Sequence, residues 1–261
     1  HKHKIFESII FKRAIDEEQL SFFKLTIKVR KQIVADGLPY NEYDVTNVGN
    51  HLNAKEWNEA IDNGAVVVDM RNHYESEIGR FQEAICPQVD TFKEELPKVK
   101  QLLKGKEEEP ILLYCTGGIR CEKASAYLKH NGFQDVNQLH GGIIDYVRQL
   151  DQDESLANKF EGKNFVFDER LGERISDKII SNCHQCGAPA DTHINCKNVN
   201  CNLLFIQCEK CSKAHKGCCS PECINISQMP EQEQAKLRAG VENLKRYHSH
   251  SKVDLTKAFK K

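Results

Sequence analysis

Pro110-Ile111-Leu112-Leu113-Tyr114-Cys115-Thr116-Gly117-Gly118-Ile119-Arg120 is the stretch that decides the fold. Its first half is a short run of large apolar side chains without polar alternation, the pattern of a parallel strand buried on both faces. Its second half sets two glycines and an arginine directly before residues 122–131, where Ala124, Tyr127 and Leu128 share one side of a helix and Gly132 stops it. A strand that passes through a glycine loop into a helix is one unit of an alternating α/β chain.

The same alternation continues on both sides. Asn53 offers an N-cap to a helix over 53–61, which Asn63-Gly64 closes, and residues 66–70 read as another buried strand. Residues 94–103 suit a helix, 136–139 a third strand, and Gly141-Gly142 opens a helix to about Leu150. This order predicts an α/β domain with a doubly wound parallel sheet over 52–150. Residues 151–180 are charged and read as a linker holding one strand at 164–167. Residues 181–226 form a Cys-rich module, and 227–261 a helical tail in which Leu237, Val241 and Leu244 share one face of a helix over 230–247. At the other end, residues 5–11 suggest a strand, 16–19 a polar turn, and Leu25, Ile27 and Val29 alternate with basic residues as in a half-buried strand. Two strands alone are marginal, so this end is expected to be the last part of a larger unit.

Composition narrows the class. The chain has 261 residues, 39% of them hydrophobic and 29% charged, as in soluble globular proteins. No apolar run approaches the ~20 residues that span a bilayer, and the opening His1-Lys2-His3-Lys4 leads into no export signal. The expectation is a cytoplasmic protein with no membrane partner and an open oligomeric state. The net charge of −1 divides into +3 over residues 1–38, +4 over 228–261 and −8 between them. Basic ends suit a phosphate-bearing partner or simply a solvated surface, so charge alone leaves the partner open.

The loop at Cys115 carries the chemistry. Backbone N–H groups of a strand–loop–helix junction converge on one centre, and the two glycines allow close approach. The helix N-terminus and Arg120 favour a thiolate at Cys115, the form that acts as nucleophile or sulfur carrier. Cys121, one helical turn on, either resolves an oxidised Cys115 or packs. Arg71 follows a strand end and faces the loop or pairs with Glu75. His140 lies near the same sheet edge and reads most simply as a surface residue.

Nine of the 12 cysteines fall between Cys183 and Cys223. Disulfide frameworks belong to small exported domains, so CxxC pairs in this chain point to metal. Cys183, Cys186, Cys196, Cys201, Cys208, Cys211, Cys218 and Cys223 fill two four-thiolate zinc sites, with His184, His193 and His215 as possible substitutes. The spacing also allows oxidised disulfides or an iron–sulfur cluster. A sandwiched pairing, first pair with third and second with fourth, is one arrangement among several. A segment this short needs a staple to fold, and structural zinc is the expected one.

These residues also carry a resemblance. Asp69-Met70-Arg71 with Glu75 and Gly79, the loop from Cys115 to Arg120, and Leu139-His140-Gly141-Gly142 resemble the rhodanese domain, whose loop cysteine carries a persulfide. The longer string Tyr114-Cys115-Thr116-Gly117-Gly118-Ile119-Arg120-Cys121-Glu122-Lys123-Ala124-Ser125-Ala126 resembles the bacterial tRNA uridine hydroxylase family. So do Arg71-Asn72, Tyr74-Glu75, Phe165-Val166-Phe167-Asp168-Glu169-Arg170 and Cys183-His184-Gln185-Cys186-Gly187, and the likeness runs from Phe23 onward. It implies a rhodanese-like α/β fold and an N-terminal ferredoxin-like α+β domain of which residues 1–45 are the remnant. It also implies oxygen-dependent hydroxylation of a wobble uridine to 5-hydroxyuridine, with the tRNA anticodon region as partner and molecular oxygen as co-substrate. Cys115 and Arg120 are then the catalytic candidates, Thr116, Gly117, Gly118, Ile119 and Cys121 the anion loop, and Arg71 and Glu75 the supporting pair. Glu83 departs from the rhodanese pattern, which places a small residue there. A rhodanese-type sulfurtransferase with persulfide on Cys115 is the alternative, and a non-catalytic zinc-bearing scaffold a third reading that the intact loop disfavours.

Overall fold

The computed structural model describes residues 27–29, 32, 34–39, 41–240 and 254–259. The elements run β1 (Asn50–Leu52), α1 (Ala54–Asp62), β2 (Val66–Asp69), α2 (His73–Ile78), β3 (Gly79–Phe81), α3 (Phe92–Leu102), β4 (Ile111–Tyr114), α4 (Ile119–His130), β5 (Val136–Leu139) and α5 (Gly142–Gln152). They continue as β6 (Phe160–Asn164), β7 (Glu173–Arg174), β8 (His193–Asn195), β9 (Leu204–Ile206), α6 (Glu209–Ala214), α7 (Pro221–Ser227) and α8 (Glu231–Arg238).

The expected parallel sheet forms in the order β1-β5-β4-β2, every pair parallel. Side-chain alternation along its strands gives it two buried faces. Ile111 and Leu113 join Val68, Met70 and Val136 against Phe92 and Leu96 of α3 and Leu128 of α4. Leu112 and Tyr114 join Val67 and Leu139 against Trp57 of α1 and Ile143 and Tyr146 of α5. Each such buried side chain contributes about 1.5–3 kcal/mol, so the two helical layers are held by the sheet and not by their own propensity. Cys115 continues the alternation of β4 onto the α3/α4 face, where it is 2% exposed. Helix α1 starts where Asn53 placed it. Asn53 Oδ1 accepts the Glu56 N–H at 3.0 Å and Glu56 Oε2 accepts the Asn53 N–H at 2.9 Å, a capping box.

Several expectations shift. The 151–180 segment pairs with the domain before it, because β6 and β7 complete an antiparallel sheet in the order β3-β6-β7. The strand expected at 164–167 is instead β6, which ends at Asn164; the apolar run that suggested it turns away as an aromatic spur. Residues 27–29 form no strand, and Ile27 and Val29 are 85% and 101% exposed, since no strand among the described residues lies beside them. The strand and turn read in residues 5–19 lie outside the described residues, as do Val241 and Leu244. The tail helix is α8, which buries none of its residues and leaves Leu237 48% exposed. Glu83 adopts a left-handed backbone with φ 58°, a conformation that bulky residues reach only at a cost.

Candidate active site

Loop 115–118 and the start of α4 wrap around the Cys115 sulfur. The Gly118 N–H donates to Cys115 Sγ at 3.1 Å. Gly118 is the N-cap of α4 with φ 90°, a left-handed conformation that favours glycine. Gly142 closes the loop from behind: its φ is 69°, and a Cβ there would lie 2.5 Å from the Cys115 carbonyl oxygen. Burial works against a charged sulfur, but a hydrogen bond from the Cys121 thiol, the Arg120 charge and the N–H groups of Cys121 and Arg120 outweigh it. Together they bring the Cys115 thiol down to about 6, so the thiolate prevails at neutral pH. Cys121 is itself fully buried, and burial together with the Cys115 charge pushes its thiol well up. It therefore remains a protonated donor to its neighbour.

Arg120 is fixed by Glu75 on α2. Its Nη1 and Nη2 donate to Glu75 Oε1 and Oε2 at 2.7 and 2.9 Å, a bidentate pair whose carboxylate is 0% exposed. The Thr116 hydroxyl donates to Glu75 Oε2 at 3.3 Å, and the Asn72 N–H to Oε1 at 3.1 Å. Glu75 thus caps its own helix and positions the loop's cation with one group. Arg71 does neither thing expected of it. It is buried and pairs with Asp69 at 2.6 Å, donates to the Gly79 carbonyl at 2.6 Å, and shares Asp69 with the Tyr114 hydroxyl at 2.7 Å. It ties the end of β2 to β3 beneath the site. His140 is 48% exposed beside Asp145 and His51 and lies off the sulfur's cavity.

That cavity, about 410 Å³, is lined by Cys115, Gly117, Ile119 and Arg120 together with Val34, Ala35, Phe92 and Phe167. The last four were not read as site residues. Phe92 had a signal, since it precedes Leu96 and Val99 on the apolar face of α3. Phe167 belongs to the Phe165–Arg170 motif, but its apolar neighbours place it in an expected strand. Glu95 is not among the sequence candidates: it is fully buried on α3, and neither oxygen of its carboxyl has a hydrogen-bond partner among the described residues. Burial pushes its carboxyl well above the usual range; the Arg120 charge opposes this, while Asp69, Glu75 and Cys115 reinforce it.

The cysteine-rich segment gathers two four-sulfur groups able to hold a metal ion, Cys183/Cys186/Cys208/Cys211 and Cys196/Cys201/Cys219/Cys223, each with its sulfurs within 4.8 Å of one another. This is the first-with-third, second-with-fourth arrangement. Cys218, chosen as a ligand from spacing, lies outside both groups, its Sγ 3.4 Å from Ser227 Oγ. Cys219 takes its place because it stands four residues before Cys223 across the first turn of α7, which brings the two sulfurs to 3.6 Å. Among the described residues no histidine joins either group. His184 is held by Glu77 and the Ile206 N–H at 2.8 and 3.0 Å, His193 packs on Phe165, and His215 stacks on Phe259.

A parallel sheet with a thiolate cradled at the carboxyl end of its strand defines a rhodanese-type domain, and the Rhodanese-like domain family matches residues 53–149. The family described as Rhodanase C-terminal matches residues 161–224, the stretch holding β6, β7 and both sulfur groups. Over 249 residues the chain is 55% identical to a protein of Leptospira interrogans named tRNA uridine(34) hydroxylase, covering 95% of this chain and 68% of that one. Proteins with the same name from Escherichia fergusonii and Cronobacter sakazakii are 52% and 50% identical, covering 88% and 92% of this chain and 66% and 69% of theirs. The chain belongs to the tRNA uridine(34) hydroxylase family, and it spans about two thirds of the length of these relatives.

Proposed function

We propose that this chain carries the catalytic domain and metal module of an enzyme that hydroxylates C5 of the wobble uridine in the anticodon region of tRNA, giving 5-hydroxyuridine. The observation that carries the reading is the Cys115 thiolate, held at the loop centre by Gly118, Cys121 and Arg120, in a chain whose relatives are named tRNA uridine(34) hydroxylase. With tRNA as substrate, the reaction belongs to the cytoplasm. Among the described residues no helix is long and apolar enough to cross a membrane. The ferredoxin-like assignment of residues 1–45 falls mostly outside the described residues.

C5 of uracil is a poor nucleophile until something adds at C6. The Cys115 thiolate forms an S–C6 bond, which moves an electron pair onto C5. C5 then takes one oxygen atom derived from molecular oxygen; the other leaves as water, with two electrons and two protons from a reductant of the thiol class. Loss of the C5 proton and cleavage of the S–C6 bond return the thiolate and release 5-hydroxyuridine. Arg120, neutralised in part by Glu75, keeps the departing sulfur anionic. Delivery of oxygen from an oxidised Cys115 sulfur is the variant route, and it needs the same residue.

Zinc suits the two sulfur groups. A tetrahedral ion with Zn–S bonds near 2.3 Å sets its sulfurs about 3.8 Å apart. The Cys186–Cys208, Cys201–Cys219 and Cys219–Cys223 separations are 3.7, 3.6 and 3.6 Å. Bound there, zinc supplies a cross-link between loops and no chemistry at the base.

The test is nucleoside mass spectrometry of tRNA from a strain lacking the gene, complemented with the full-length protein or its Cys115→Ser variant. Return of 5-hydroxyuridine with the wild type alone supports the reading. Return with both removes Cys115 from the chemistry. Return with neither, while a thiouridine level follows the wild type, turns the assignment to sulfur transfer.

A further inference from the structure

The motif Phe165-Val166-Phe167-Asp168-Glu169-Arg170 is left unused by the thiolate chemistry, yet the fold spends a network of buried charges on it. Asp168 and Glu173 are 3% and 2% exposed, and both hold Arg170: Nη2 donates to Asp168 Oδ2 at 2.6 Å and Nη1 to Glu173 Oε1 at 2.7 Å. The Arg170 N–H returns to Asp168 Oδ1 at 3.0 Å and the Leu171 N–H to the Asp168 carbonyl at 3.1 Å, closing a tight turn. On the other side of that turn Phe165 is buried, its ring edge-on to Tyr74 and His193 at 5.1 and 5.3 Å. Between these two anchors stands Phe167. Its ring meets Phe165 edge-on at 5.3 Å and 79°, and it is 60% exposed.

A single exposed phenylalanine is ordinary on a protein surface. This one lines the 410 Å³ cavity that also holds Cys115, with Val34, Ala35, Phe92 and the half-exposed Ile119 as the other apolar parts of its wall. A buried brace that keeps an apolar ring in water, beside a reactive sulfur, costs stability and gives nothing back until a ligand covers the ring. Small polar sulfur acceptors gain little from a phenyl face. A nucleobase does: enzymes that work on a base take it out of its stack, and single-stranded loops are read by stacking splayed bases on aromatic side chains.

We infer that Phe167 is the stacking platform for the target base, receiving the flipped uracil on its exposed face so that the C5–C6 edge lies over the Cys115 sulfur. The inference rests on the hydroxylase reading and deepens it: recognition of the ring at the wobble position comes from the 165–170 turn, a part of the chain outside the rhodanese-like sheet. Phe167 is a positioning residue. The thiolate, not the ring, makes and breaks bonds.

The experiment uses the full-length protein and two synthetic anticodon stem–loops, one with uridine at the wobble position and one with an abasic ribose there. Affinities are read by fluorescence anisotropy, and 5-hydroxyuridine formation is followed in complemented cells. Phe167→Ala is expected to weaken binding of the uridine RNA about tenfold, as loss of one base–aromatic stack does, and to leave the abasic RNA unchanged. Phe167→Tyr, which keeps the ring, restores both affinity and product, whereas Phe167→Leu restores neither fully. Since the side chain is largely exposed, these variants fold as the wild type does. Equal losses on both RNAs, or none on either, overturn the stack while leaving the hydroxylase standing. A wild type that makes no 5-hydroxyuridine and does not distinguish the two RNAs overturns the hydroxylase reading itself, and the stack falls with it.

Discussion

Glu95 is the residue whose environment is hardest to reconcile with packing alone. Both its oxygens are buried without a hydrogen-bond partner among the described residues, so ionising it would place a bare charge in the core. The chain's response is to keep it protonated, which leaves the Arg120 charge to Glu75 and Cys115. The consequence for stability has a definite sign. As pH rises past the ordinary carboxyl value of 4.5, the unfolded chain gives up this proton while the folded chain retains it, and stability falls. The loss continues until the raised folded value is reached. Glu95→Gln is isosteric with the neutral acid and does not titrate. Its melting midpoint is expected to exceed that of the wild type, by a wider margin at pH 8 than at pH 5, in thermal scans at both. The same margin at both pH values would show that Glu95 is ionised in the folded protein.

Among the elements, the crossing of loop 115–118 with the start of α5 controls how the thiolate is presented. The Ile143 and Ile144 N–H groups donate to the carbonyls of Cys115 and Thr116 at 3.0 and 3.2 Å, so α5 begins by holding the loop from behind. Gly142 makes this approach possible. Gly142→Ala adds a Cβ 2.5 Å from the Cys115 oxygen and 2.7 Å from the Gly118 nitrogen, at a φ of 69° that disfavours a side chain. The expected cost is about 2–4 kcal/mol in chemical denaturation, from the left-handed backbone and the clash together. Activity should fall further than stability, since the loop must move away from the N–H groups that lower the Cys115 thiol. The scale of elements is also where sequence was most readable. Strands β2 and β4 are legible as apolar runs because both faces of a parallel sheet are covered, and α1 and α4 through their caps and stops; β5, with Asn137 and Gln138 between Val136 and Leu139, is no such run. Three-residue strands such as β1 and β3 carry too few side chains for any period to show, and β6, whose Glu161 and Lys163 alternate with buried Phe160 and Asn164, looks like charged linker until β3 lies beside it. Cys115 and Arg120 are candidates from one local loop, whereas Glu75, 45 residues before Arg120, enters the sequence reading only through the rhodanese resemblance and as a partner for Arg71. Phe92, Glu95 and Phe167 are not candidates, because only the packing of α3 and of the 165–170 turn brings them to the same place.

Across the whole molecule, α2 is the element through which the two halves meet. Glu75 faces the thiolate loop, while Tyr74 and Ile78 pack with Phe165, Cys183, Ala190, Ile206 and Cys211, and Glu77 pairs with His184 at 2.8 Å. Two of the residues in that contact, Cys183 and Cys211, belong to the first four-sulfur group, so that group and the docking surface are the same structure. The module around them is small, with β8, β9 and two short helices and an apolar cluster made largely of its own cysteines. Such a segment cannot offset its ordering entropy by burial alone, and under the zinc proposal its folding free energy would come chiefly from metal binding. The protein as purified is therefore expected to carry two zinc ions per chain by elemental analysis, one for each sulfur group among the described residues. A strong chelator should release both and divide a single thermal transition into two. The later of these belongs to the sheet, whose clusters against α1, α3, α4 and α5 contain no ligand cysteine. Limited proteolysis after chelation should cut within 181–226 and spare 52–150, and affinity for the uridine stem–loop should drop, because His193 and Phe165, which seat Phe167, lose their support. A chain that holds no metal when purified, or one whose proteolysis pattern is unchanged by the chelator, would show that packing against α2 is sufficient to fold the module.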